Sequence, residues 1–186
     1  MDFPLDLSNT VIETERLILR PFREDDLDDF FAYASVEGVG EAAGWPHHTS
    51  REVSKMVLAS FLAEKDVLAV VLKETGQVVG SLGLHKTTLP AVKDMTAKEF
   101  GYVLAKDLWG KGLIPEAVRA VIPYAFDTLG CEALTCGHFD FNDRSRRVIE
   151  KCGFRYVCDT VYYAKQLEKE FKGKMYVLYR KDRKSC

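Results

Sequence analysis

Asp107-Leu108-Trp109-Gly110-Lys111-Gly112-Leu113-Ile114-Pro115-Glu116 joins an apolar strand-like run, residues 98–105, to a segment of helical periodicity. Glycine at 110 and 112 lets the main chain turn tightly and approach a ligand closely, and Pro115 suits the first helical position, where its missing N–H costs nothing. The unpaired N–H groups of a helix start then face whatever lies above the loop, a construction suited to anionic oxygens. Three readings fit this spacing. A Walker P-loop ends in Gly-Lys-Ser/Thr, but here the lysine lies between the glycines and no Ser or Thr follows. A dinucleotide fingerprint needs glycine at 115, which is Pro115. The third is a tight strand-to-helix turn in which glycine serves geometry alone.

Beyond the loop, Ile114, Val118, Val121, Ala125 and Leu129 recur on one helical face, and Gly130 supplies a C-terminal cap. Pro123 falls inside this helix and is expected to kink it, because it lacks a donor and crowds the preceding turn. Upstream, residues 12–22 read as a first strand ended by Pro21. Residues 25–36 read as a helix with an acidic first turn and apolar Leu27, Phe30, Phe31 and Ala34. Thr49-Ser50-Arg51-Glu52 reads as a capping box opening a helix through Glu64. Two apolar runs, 67–72 and 78–84, flank Glu74-Thr75-Gly76-Gln77 and predict a hairpin. Downstream come a strand over 133–139, a helix over 143–152 ended by Gly153, and strands over 155–163 and 174–180. Strands and helices alternate in the middle, with hairpins at both ends. That pattern predicts one α/β domain over residues 1–186, with a core at 12–180 and a mixed twisted sheet of about seven strands flanked by helices.

Composition bounds the function classes. A chain of 186 residues buries roughly 70% of its unfolded surface and needs no disulfide or metal staple. With 47% hydrophobic and 29% charged residues it is neither disordered, collagen-like nor a coiled coil. Lys and Arg number 26 against 28 Asp and Glu, a formal net charge of −2, so no nucleic-acid partner is expected. No apolar run approaches the roughly 18 residues of a membrane span, so no membrane partner is expected. The start, Met1-Asp2-Phe3-Pro4-Leu5-Asp6, is acidic where a secretory leader is basic, which predicts a cytoplasmic location. Cys131, Cys136, Cys152, Cys158 and Cys186 form an odd set with no C-x-x-C pair, unlike a disulfide framework or zinc knuckle. The first four lie among apolar residues and read as small hydrophobes.

The ordered set Glu15-Arg16-Leu17-Ile18-Leu19-Arg20, Glu99-Phe100-Gly101-Tyr102, Trp109-Gly110-Lys111-Gly112, Glu116-Ala117, Asn142…Ser145 and Gly153-Phe154 spans most of the chain. Over residues 12–180 it resembles the GNAT acetyltransferase superfamily, most closely the ribosomal-protein-alanine N-acetyltransferase branch. The resemblance implies transfer of acetyl from acetyl-coenzyme A, as co-substrate, to a primary amine: a protein N-terminus, or a small amine such as a polyamine or antibiotic. It implies that loop amides hold the coenzyme's pyrophosphate, with Leu104, Gly110, Lys111, Gly112, Leu113 and Ile114 lining the cofactor and Asn142 reaching its pantetheine arm. A splayed strand near Val103, Leu104 and Ala105 would turn N–H groups toward the thioester carbonyl. Two positions depart from the family. Asp107 stands where Gln or Arg is usual and cannot donate to a phosphate; Ile149 stands where many relatives carry an acidic tyrosine and has no proton to give. These departures motivate a rival reading, a catalytically weak acyl-coenzyme A binding or sensor protein. Phosphoryl transfer from ATP is a second rival, opposed by the missing Walker Ser or Thr.

Each candidate residue carries two readings. Glu99 can deprotonate an ammonium, directly or through water, or it is an exposed strand carboxylate. Ser145 can protonate the departing thiolate or bind amides of a first helical turn. Strand alternation favours core packing for Tyr102 over a catalytic role. Arg144, Arg146 and Arg147 meet the coenzyme's ribose phosphate or solvent. In Gly44-Trp45-Pro46-His47-His48, Trp45 offers an aromatic wall and His47 a titratable group for an acceptor pocket, against a plain loop anchored by Trp45. Two adjacent histidines without a third ligand predict no metal site. Asp25, Asp26, Asp28 and Asp29 steer a cationic amine or solvate a helix start. Residues 161–163 and 174–180 pair as an end hairpin that borders the site or forms a homodimer contact.

Overall fold

Apolar runs without polar alternation form the centre of the sheet, because a strand covered on both faces has no solvent side. Val67–Leu72 (β3) and Val78–Lys86 (β4) are such runs and pair antiparallel. The computed structural model describes residues 3–183; Met1, Asp2 and residues 184–186, and so the Cys186 reading and the first two residues of the acidic start, lie outside it. Before β3 come Ile12–Glu13 (β1) and Leu17–Pro21 (β2); after β4 come Ala97–Leu104 (β5), Ala133–Phe139 (β6), Arg155–Ala164 (β7) and Lys169–Tyr179 (β8). Among the described residues these make one eight-stranded sheet in the order β1-β2-β3-β4-β5-β6-β8-β7. The β5–β6 pair is parallel.

The helices divide between the two faces. Leu27–Ala34 (α1) and Arg51–Glu64 (α2) cover one face over Phe22, Phe30, Tyr33, Leu58 and Val71. Leu113–Pro123 (α3) and Asp143–Lys151 (α4) cover the other with Ala117, Val121, Phe126 and Ile149. Buried thiols pack among these residues, and burial lifts Cys131 and Cys152 to about 11. Among the described residues no helix is long and apolar enough to cross a membrane.

Several boundaries differ from the sequence reading, each for a local reason. The expected first strand breaks into β1 and β2, because Thr14 folds the chain back: its N–H and hydroxyl both meet Leu17 O, and its Oγ1 accepts Leu17 N–H at 2.9 Å. The extra strand raises the count from about seven to eight. α2 is capped by Ser50, whose Oγ accepts Val53 N–H, one residue later than the expected box. Pro115 occupies the third helical position rather than the first, still within the turn whose N–H groups have no intrahelical acceptor. At Pro123 the missing donor ends α3, and the chain continues as a π turn over Tyr124–Thr128, with Leu129 N–H reaching Tyr124 O. The end hairpin forms with β8 starting at Lys169, so Val161 faces Lys172 and Lys174 faces Asp159.

The acidic run at 25–29 is largely structural. Asp26 takes both guanidinium nitrogens of Arg20 at 2.7 and 2.8 Å and the Arg23 N–H at 2.7 Å, while Asp29 accepts Val78 N–H. Arg20 and Asp26 are 13% and 7% exposed, little enough that solvent does not cancel the pairing. Asp26→Asn is expected to lower stability by about 2–3 kcal/mol, read as an earlier urea midpoint at unchanged slope.

Candidate active site

The sheet opens at one place. β5 pairs with β6 only from Ala97 opposite Ala133 to Phe100 opposite Cys136, although its pairing with β4 runs on to Leu104. From Gly101 onward one edge of β5 has no strand beside it. A cleft of about 400 Å³ fills the gap, bounded by residues 99–104, by Gly137, His138 and Phe139 of β6, and by the glycine loop and α4. Alternation fixes which amides look into it. Thr96 O accepts from Glu132 N–H, just before β6, and Ala105 N–H donates back to Val79 O of β4. Val103 therefore shares the β4 direction of Ala105, while Tyr102 and Leu104 turn their main-chain groups to the cleft. Trp109 Nε1 donates to Leu104 O at 2.9 Å, so the group Leu104 still presents is its N–H. Of the expected Val103–Ala105 amides, only that of Leu104 faces the opening.

The glycine loop closes one end. Gly110 and Gly112 have φ of +81° and +79°, a left-handed geometry that L side chains rarely adopt, and Gly112 is the N-cap of α3 with no side-chain cap. The first amides of α3, those of Leu113 and Ile114, are left without intrahelical acceptors. Arg16 fixes the loop from behind. Its Nη1 donates to Lys111 O at 2.9 Å, and its Nε and main-chain N–H both bind the Glu116 carboxylate, which also accepts from Thr14 Oγ1 at 2.6 Å. In a trans peptide the Lys111 carbonyl and the Gly112 N–H point oppositely, so this anchor turns the Gly112 amide away from Arg16. Val103, Leu104, Gly110, Gly112, Leu113 and Ile114 all line the cleft; the exposed Lys111 does not, and Asp107 is also exposed and outside the lining. A Cβ on Gly110 would meet nothing within 4 Å, so the loop borders open space. Positive helix end, turned-in amides and that space together fit a diphosphate.

On the α4 side, Asn142 Oδ1 accepts Ser145 N–H at 3.1 Å and its Nδ2 donates to Ala42 O at 3.0 Å, tying the helix start to the turn at Glu41–Ala43. Ser145 does not spend its hydroxyl on first-turn amides: its Oγ lies 2.8 Å from the Tyr102 hydroxyl. Tyr102 thus packs its ring against the core, as alternation requires, yet brings its oxygen into the cleft. Burial pushes its phenol well above the ordinary range. Ile149 is buried in the core, one turn below Ser145. Arg144 lies 4.0 Å over the Trp109 ring and Arg147 lines the cleft, whereas Arg146 pairs with Asp143 and Glu150.

Glu99 is half-buried in the cleft wall, not the exposed strand carboxylate of the alternative reading. Burial raises its pKa, held in check by the hydroxyls of Thr87 and Thr135. Trp45 and His47 do not reach the cleft. Trp45 packs on His48, ring centroids 5.1 Å apart, and His47 Nδ1 is 2.8 Å from Glu41 Oε1. His48 is buried against Ser54 Oγ at 2.7 Å, and burial lowers its pKa. Ala42, Ala43, Phe139 and Tyr162 occupy the wall expected of that loop. The sequence carried no signal that the Tyr102 hydroxyl, Phe139 or Tyr162 would reach the cleft, because only the splay of β5 from β6 exposes them.

Residues 16–155 match the acetyltransferase (GNAT) domain family. YoaA of Bacillus subtilis (strain 168), named an uncharacterized N-acetyltransferase, is 29% identical over 78% of this chain and 82% of its own. A GNAT-family acetyltransferase from Bacillus anthracis superposes with a TM-score of 0.81 at 21% identity, covering 92% of this chain and 99% of that one. Ribosomal-protein-S5-alanine acetyltransferase from Vibrio fischeri gives 0.73 at 19% identity, over 95% and 100% of the two chains. At these identities the structures establish a shared fold.

Proposed function

The chain belongs to the GNAT acetyltransferase family, and from that premise we propose that it moves acetyl from acetyl-coenzyme A to a primary amine, with a protein N-terminal amine as the favoured acceptor. One observation carries this reading: the cleft opened between β5 and β6 has the glycine loop at one end, Glu99 in its wall, and the Tyr102–Ser145 hydroxyl pair opposite. When bound, acetyl-coenzyme A supplies an activated thioester. Amides of Gly112, Leu113 and Ile114 hold its diphosphate, and Arg144 and Arg147 stand beside the loop for a further phosphate. Asn142 lines the pantetheine channel, with one Nδ2 hydrogen left after its bond to Ala42.

The cleft-facing N–H groups of Tyr102 and Leu104 polarise the carbonyl, which needs donors already aimed at the oxygen. Glu99 accepts a proton from the ammonium, and a carboxyl raised by burial is a better base than a solvated one. Ser145 returns a proton to the departing sulfur, with Tyr102 orienting its hydroxyl. The Ser145 hydroxyl in this pair provides a transferable hydrogen where Ile149 has none, which favours turnover over the sensor reading. An α-amino group near pKa 8 is already partly neutral at pH 7, whereas a lysine near 10.4 is almost wholly protonated. One modest carboxylate base therefore suits an N-terminal amine better. A reducing cytoplasm suits the buried thiols Cys131, Cys136 and Cys152.

Acetyl-coenzyme A at 100 times its dissociation constant should add about 2.7 kcal/mol and raise Tm by about 5–10 °C, while ATP with Mg²⁺ should not. Thiol release should then follow on peptides with free N-terminal Ala or Ser and not on polyamines. No Tm shift at millimolar acetyl-coenzyme A would overturn the reading.

A further inference from the structure

His85 is the next to last residue of β4 and stands directly opposite Glu99 in the β4–β5 register. Directly opposed residues of an antiparallel pair share one face, with Cβ atoms about 5 Å apart. The pair beside them is Gly83 opposite Gly101. A Cβ on Gly83 would collide with His85 Nε2, and one on Gly101 would lie 3.2 Å from it. Glycine inside a strand is disfavoured against alanine, since it gives up more backbone freedom on folding. Two of them, paired, form a trough that seats one imidazole, Nε2 lying over Gly83 and beside Gly101, which is itself part of the cleft wall.

The other ring nitrogen is fixed. His85 Nδ1 lies 2.8 Å from Asp66 Oδ2, and because a carboxylate accepts, Nδ1 carries the hydrogen, which leaves the lone pair of the neutral ring on Nε2. Asp66 is 20% exposed and its Oδ1 accepts no hydrogen bond among the described residues, so its charge is directed at the imidazole. The charged groups around the ring are few. Asp66 faces it from the turn before β3 and Glu99 from β5. Lys65 pairs with Asp6, while Lys86 and Lys98 alternate to the opposite face, Lys98 holding Phe3 O at 2.8 Å. The His85 side chain is 47% exposed.

We propose that His85, oriented by Asp66, receives the proton that Glu99 takes from the acceptor amine and passes it to solvent. This rests on Glu99 acting as the base. Thr87 and Thr135, which hydrogen-bond the Glu99 carboxyl, are hydroxyls that cannot hold the proton as a stable charge. The nearby Cys136 and Tyr162, whose pKa values burial and the Glu99 charge raise, keep their own protons and accept none. The step balances. One proton leaves the ammonium for the Glu99 carboxylate, freeing the lone pair that forms the C–N bond as the C–S bond breaks. That proton moves through water to His85 Nε2, giving an imidazolium next to Asp66, and then to a further water or buffer base. The second amine proton goes to sulfur through Ser145. Each turnover thus releases one proton to solvent and restores both Glu99 and His85.

The test has two arms. In the free protein, ¹⁵N shifts of the His85 ring should report a single tautomer with hydrogen on Nδ1, and Asp66→Asn should mix the two tautomers. Both forms present in the wild type would overturn the orientation. In turnover, measured with the best peptide of the N-terminal panel at low buffer concentration, His85→Ala and His85→Gln should each lose about 10–100-fold in kcat, with KM for acetyl-coenzyme A unchanged. Added imidazole should restore His85→Ala, in proportion to its free base. Full wild-type turnover in both variants, or a loss that no buffer base repairs, would overturn the relay. Failure of the wild type on every amine would instead strike the proposed function, and leaves the tautomer result standing to decide the orientation of His85.

Discussion

Glutamine in place of Glu99 is expected to slow acetyl transfer by about 10²–10⁴-fold at neutral pH and, at the same time, to make the protein more heat-stable. Both effects come from the same burial. Removing the base leaves binding of acetyl-coenzyme A intact, so the loss should appear in kcat with little change in KM for the coenzyme. It should shrink toward alkaline pH, where the amine loses its proton unaided. Stability moves the other way because burial raises the Glu99 carboxyl above its ordinary value of 4.5. A group whose folded pKa is raised contributes stability below its unfolded pKa and loses it as pH climbs through the folded one. Glutamine cannot ionise and escapes that loss. Glu99→Gln should therefore melt above the wild type at pH 8, and the gap should close toward pH 4. Equal activity across pH would return Glu99 to the role of a wall residue. A wild type that melts no lower than the variant at pH 8 would mean that its carboxylate is well solvated.

The contrast between what the sequence discloses and what it hides follows from how each feature is encoded. The central strands and α3 were legible because unbroken apolar runs and a strict helical stripe are local signals. The first hairpin was not, since its turn has neither glycine nor proline and relies on Thr14 bonding across to Leu17. The first half of β8 also escaped notice, as Lys169, Glu170 and Lys172 are exposed and no apolar alternation marks them. The glycine loop was readable, but its anchor was not: Arg16 reaches Glu116 and Lys111 across about a hundred residues of chain. The burial of Glu99 and the reach of Tyr102 depend on where β5 leaves β6, a property of two strands together. For the same reason Trp45 and His47, plausible by type, proved to serve the loop that holds them.

Asparagine at Gly112 or Gly110 is expected to leave the protein folded and yet weaken acetyl-coenzyme A binding by about 10²–10⁴-fold. Valine at Gly112 is the cruder change, because φ of +79° strains any branched side chain whether or not a ligand is near. Alanine shares that strain in lesser degree, so neither separates turn geometry from ligand contact. Asparagine does, since it tolerates the left-handed region better than other side-chain-bearing residues. Space is no obstacle in the free protein: a Cβ on Gly110 meets nothing within 4 Å, and one on Gly112 meets only Arg16 Nη2 at 3.7 Å, an ordinary contact. Whatever an added side chain collides with must therefore be the ligand. If the loop amides hold a diphosphate, displacing it breaks two charge-assisted hydrogen bonds at about 1.5–3 kcal/mol each, which gives the stated range. If the glycines serve the turn alone, the asparagine variants should melt within a few degrees of the wild type and bind with unchanged affinity. Titration calorimetry on the folded variants distinguishes the two, and wild-type affinity in both would remove the loop from the binding site.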